Sequence, residues 1–108
     1  MLDHVVFGVS NYDETKAFFV VALKPLGVGV LSEGPLGVEI GRPDSKSSLC
    51  IRRAEGKATH LHLAFTADNR EQVREFHQAA LDAGGKDNGK RCAVPVVTSA
   101  AGSFMLRA

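Results

Sequence analysis

Shifted by 58 positions, the sequence lies on itself. Residues 2–27 align without a gap on residues 60–85, with seven identities in 26 pairs. His4 meets His62, Phe7 meets Phe65, Asn11 meets Asn69, Phe18 meets Phe76, Ala22 meets Ala80, Leu23 meets Leu81 and Gly27 meets Gly85. Asp13 over Glu71 and Lys16 over Arg74 keep the same register. A repeat of this length is one supersecondary unit used twice, so the chain is constrained to build two similar modules. With 108 residues it is a single domain, divided into module one at 1–58 and module two at 59–108.

Each copy opens on a period-two segment. His4 and Val6 point to one side and Val5 and Phe7 to the other, which is the alternation of a half-buried strand. Both copies then change to helical spacing. Phe18, Phe19, Ala22, Leu23 and Leu26 form one apolar stripe, and Val73, Phe76, Ala80 and Leu81 form its equivalent. His77 stands where the first copy has Phe19 and reads as a core-edge residue. Ser10 three residues before Asp13, and Asn69 three before Gln72, mark the helix starts, while Gly27, Gly84 and Gly85 suit the exits.

Three strand candidates follow the first helix, at 28–31, 37–40 and 48–52, separated by glycine, proline and serine. The unit is therefore βαβββ. Two tandem βαβββ modules predict an α+β protein with a curved, cup-like mixed sheet and helices outside. Two full 58-residue units exceed the chain, and 91–108 has Pro95 within its best strand run and only small residues at 99–103. The expectation is at most two weak strands there and a second module left incomplete at its last strand.

Composition narrows the function. A net charge of +1 and scattered Lys24, Arg52, Arg53, Lys57 and Arg70 without interleaved aromatics argue against nucleic acid as a partner. The longest apolar stretch, 17–23, is far short of the roughly 20 residues of a membrane span. Met1 is followed directly by strand-like sequence rather than a secretory signal, so the expected location is cytoplasmic. Cys50 and Cys92 lack CxxC spacing and a zinc-spaced histidine, and read as reduced thiols. The spacing of Gly34, Gly37 and Gly41 does not make a phosphate loop, and no GxSxG marks a nucleophilic serine.

The segments LDHVVFGV at 2–9, KAFF at 16–19, ALKPLGV at 22–28, HLAF at 62–65 and the run 76–89 resemble the vicinal oxygen chelate superfamily of glyoxalases, bleomycin-resistance proteins and extradiol dioxygenases. The resemblance covers 1–90 and stops there, which reads as an altered or truncated C-terminus. It implies a metal cup in which His4 and His62 are ligands of a divalent ion such as Zn, Fe, Ni or Mn. A carboxylate on the final strand normally completes that site, beside an aspartate, proline, aspartate, glycine run. This chain has no such run and no acidic residue after Asp87. Glyoxalase-like relatives also take a glutamate from the fourth strand, where Leu49, Cys50 and Ile51 stand here.

His60, on the same face as His62, and Glu39, in the third strand candidate, are possible cup-lining residues. The resemblance then implies a divalent-metal-dependent lyase or dioxygenase-like enzyme acting on a small substrate that chelates through adjacent oxygens. The alternatives are a metal-free small-molecule binding protein of the bleomycin-resistance kind, or an inactive truncated relative. The family's habit of pairing modules across chains also implies a homodimer.

Overall fold

A computed structural model of the protein describes residues 3–55, 62–91, 94–99 and 102–107, with side chains at 3–55 and 62–87. Module one runs β1 (His4–Val9), α1 (Tyr12–Ala22), a short 3-10 turn (Lys24–Leu26), β2 (Gly29–Gly34), β3 (Gly37–Gly41) and β4 (Ser48–Arg53). Module two repeats the order as β5 (His62–Thr66), α2 (Arg70–Asp82), β6 (Lys86–Arg91), β7 (Val94–Ser99) and β8 (Gly102–Arg107). Each module is a four-stranded mixed sheet with the first strand at one edge, ordered β1-β4-β3-β2 and β5-β8-β7-β6. In both, the first and last strands are parallel and the rest antiparallel.

The 58-residue shift holds from the first strand through the helix, since α1 begins at Tyr12 and α2 at Arg70. The last strand, in doubt from sequence, is β8. His4 pairs with Ser48 on β4, and His62 pairs in the same way with Ser103 on β8. Module two is shorter because its last connection is shorter. Six residues separate β3 from β4 and only two separate β7 from β8. Pro95 is accommodated at the start of β7, opposite Lys90 next to a register irregularity in β6, where a missing N–H is tolerated.

One helix boundary differs from the sequence reading. Asn11, not Ser10, precedes α1, and its side chain accepts a hydrogen bond from the Thr15 hydroxyl (3.1 Å) rather than capping a backbone N–H. Its repeat partner Asn69 does cap α2, accepting from the Gln72 N–H at 2.9 Å. Gln72 in turn accepts from the Asp68 N–H at 2.8 Å, one residue before the cap.

The core sits between the sheets and the two helices. Val38, Ile40, Leu49 and Ile51 from the first sheet meet Phe18, Phe19 and Ala22 of α1 and Leu23 at its C-terminal cap, while α1 packs on α2 and its buried Phe76 and Ala80. Phe19 is fully buried and connects the modules. Its ring makes edge contacts with Phe7 on β1 (6.1 Å between centroids), with Phe18 (5.3 Å) and with Phe65 on β5 (6.5 Å). Such pairs add to the burial term because ring edges and faces carry opposite partial charge. His77, the residue equivalent to Phe19, is at the core edge as read. Its Nε2 lies 4.0 Å from an Asp87 carboxylate oxygen.

Phe19→Ala is expected to cost about 3–5 kcal/mol, from lost transfer energy plus a cavity shared by both modules. Urea unfolding would show it as a lower midpoint with an unchanged slope.

Candidate functional site

The strand alternation that fills the core sets the composition of the opposite, open face. In β4, Leu49 and Ile51 are buried, so Ser48, Cys50 and Arg52 take the other side. Cross-strand register places Val6 and Glu39 on either side of Cys50, His4 and Gly41 beside Ser48, and Gly8 and Gly37 beside Arg52. On β5, Leu63 and Phe65 pack against the core while His62, Ala64 and Thr66 are exposed.

His4 and His62 therefore hold equivalent positions on the open faces of their sheets. His4 is exposed, with Nδ1 2.9 Å from an Asp3 carboxylate oxygen. An Nδ1–H donated to Asp3 leaves Nε2 as the acceptor. Glu39 lies on the same open face as His4 but on β3, two strands away, which at strand spacing is about 10 Å across the sheet. Its carboxylate accepts from the Ser48 hydroxyl at 2.9 Å and has the Ser32 hydroxyl at 3.5 Å and the Cys50 sulfur at 4.0 Å. His60 and Cys92 lie outside the described residues.

Sequence reasoning missed two features. The first is a groove of about 360 Å³ where the β2–β3 hairpin meets β4, with Ser32, Leu36, Gly37, Glu39, Cys50 and Arg52 along it. The alternation in β4 already places Arg52 with Cys50, but nothing local reveals that Pro35 and Leu36 form a two-residue connection beside it. The second is a polar cluster tying α1 to β2. The Tyr12 hydroxyl donates to Glu33 at 2.8 Å, Lys16 Nζ donates to both Glu33 oxygens at 2.7 Å, and the Arg53 guanidinium stacks 4.1 Å from the Tyr12 ring centre. Glu33 is 21 residues from Tyr12, too far for any short motif to show.

The sequence matches no family model and no curated protein. Solved structures do match. A glyoxalase/bleomycin resistance protein from Albidiferax ferrireducens T118 superposes with a TM-score of 0.83 at 22% identity, over 98% of this chain and 97% of its own. A putative glyoxalase from Bacillus halodurans gives 0.79 at 21% identity, over 98% and 93%. A variant of the fosfomycin resistance protein FosX from Listeria monocytogenes, determined with Mn(II) and dihydroxypropylphosphonic acid, gives 0.73 at 17% identity, over 98% and 87%. The chain has the vicinal oxygen chelate fold. The likeness spans nearly the whole chain, so in structural terms the fold continues past the point where the sequence resemblance stops.

Among the described residues no three His, Cys, Asp or Glu side chains lie close enough to hold an ion. Zinc needs each donor atom at about 2.0–2.3 Å; the carboxylate nearest His4 is that of Asp3, on its Nδ1, and Glu39 stands two strands away, accepting from Ser48. The fourth strand presents Cys50, not an acid, to the open side.

Lys16 and Tyr12 hold the Glu33 carboxyl below the usual carboxylate range, chiefly through the Lys16 hydrogen bonds and then that of Tyr12. Burial, followed by the Glu33 hydrogen bond, pushes the Tyr12 phenol up, so it remains a donor at neutral pH. A lowered folded-state value means that stability is present above the unfolded Glu value, about pH 4.3, and is lost as the pH falls through the folded value. Glu33→Gln should thus lower the melting temperature at pH 7. Melting curves from pH 7 to 2.5 should show the gap to the parent protein closing below about pH 4.

Proposed function

We propose that the protein binds a small molecule without a metal, on the open face of its first sheet. The observation that carries this reading is the groove at the β2–β3 hairpin, whose volume of about 360 Å³ lies within the roughly 300–1,000 Å³ usual for small-ligand sites. It combines the exposed apolar Leu36 with hydrogen-bonding Ser32, Glu39 and Arg52, a mixture that grips a ligand and orients it. The absence of a three-donor cluster among the described residues favours binding over metal chemistry.

A second reading is a divalent-metal-dependent lyase or dioxygenase-like enzyme with His4 and His62 as ligands. It is favoured by their equivalent pairing with Ser48 and Ser103, and by the Mn(II) in the FosX relative. In either reading we take the chain to act as a cytoplasmic homodimer. Among the described residues no helix is long and apolar enough to cross a membrane. The unpaired outer edges of β1 and β5 also leave strands available to a second copy. Sedimentation at micromolar concentration should give twice the chain mass, and a monomer would remove the dimer from the proposal.

Elemental analysis of freshly purified, tag-free protein should find well under one metal per chain. A thermal-shift screen of small polar-aromatic and carboxylate compounds should give saturable stabilisation, unchanged by EDTA and by the double variant His4→Ala, His62→Ala. One metal per chain, lost in the double variant, would overturn this reading in favour of the second.

A further inference from the structure

We infer that the groove is built for a small carboxylate with an apolar body, paired through its carboxylate to Arg52. The inference rests on the small-molecule reading above and names the ligand class.

Arg52 is the one cation lining the groove, and among the described residues it forms no ion pair. The register explains why. Both of its cross-strand neighbours, Gly8 on β1 and Gly37 on β3, are glycines, so neither offers a side chain to cover or neutralise the guanidinium. At Gly37 the vacancy is enforced, because a Cβ there would run into the Ile51 carbonyl oxygen of β4.

The two acids on the groove are otherwise engaged. Glu33 is held by Lys16 and Tyr12. Glu39 pairs across from Cys50, and its hydrogen bond to Ser48 draws its carboxylate to the side of Cys50 away from Arg52. Opposite charges thus share one face without meeting. A guanidinium with free N–H groups fits a carboxylate in a two-point pair, the strongest single contact such a face can offer. The exposed Leu36 side chain at the hairpin offers contact for the apolar body.

Mandelate and its neutral counterpart mandelamide test this by titration into the ¹⁵N-labelled full-length chain, followed by amide chemical shifts. Mandelate should shift the Gly37, Cys50 and Arg52 amides saturably, with mandelamide at least about tenfold weaker. Arg52→Met should lose at least about tenfold in mandelate affinity, with Arg52→Lys falling between, while both keep the parent melting temperature because the side chain is exposed. Higher salt should weaken mandelate and leave mandelamide unaffected.

Equal binding of mandelamide at these amides would overturn the anion assignment while leaving small-molecule binding in place. Unchanged mandelate affinity in Arg52→Met would overturn it too. Mandelate that moves no groove amide would also overturn it, and the compound screen would then judge the binding reading on its own.

Discussion

The packing of α1 between its own sheet and α2 is the contact on which the remaining structure depends. The first four-stranded sheet has one apolar face, and α1 covers it. Phe19 reaches Phe7 on the first sheet and Phe65 on the second, so one buried ring closes both modules at once. With the helices committed to the inner faces, the outer faces stay open. The fold therefore leaves an open surface as a by-product of burying its core.

The same burial selects which residues stand on that surface. Strand side chains alternate, so fixing Leu49 and Ile51 inward fixes Ser48, Cys50 and Arg52 outward, and a one-residue slip would exchange the sets. Val38 and Ile40 place Glu39 outward by the same rule. Arg52 is aligned with Gly8 and Gly37 because β1, β4 and β3 are locked in one register by their buried members. The chemistry of the groove is thus as well determined as the core.

Much of the fold was legible in the sequence because the repeat and the strand and helix periods are local signals. The faces of β1, most of both helix stripes and the three strands of module one lie close to where periodicity and turn residues place them, although β2 runs on to Gly34 and Leu26 falls in the 3-10 turn. The end of the chain was harder to read. Small residues at 99–103 and Pro95 weaken strand propensity, and pairing with β5 and β7, which local reading cannot weigh, decides the matter for β8. Ser10 and Asn11 both suit a helix start, and only the Thr15 contact separates them. At the site, the equivalence of His4 and His62 was legible, whereas the engagement of Glu39 by Ser48 and of Glu33 by Lys16 joins distant segments and leaves no trace in local sequence.

Charge on the open face weighs on the choice between an ion and an organic ligand. The described face of module one offers the Glu39 carboxylate, hydrogen-bonded to Ser48, and the Arg52 guanidinium, which forms no ion pair among the described residues. A divalent ion beside Arg52 would be repelled by it. An anionic ligand meets the opposite sign of the same field. The fold shared with glyoxalase-like structures fixes the orientation of the open face, and the residues at the outward positions of β3 and β4 set the charge that face carries.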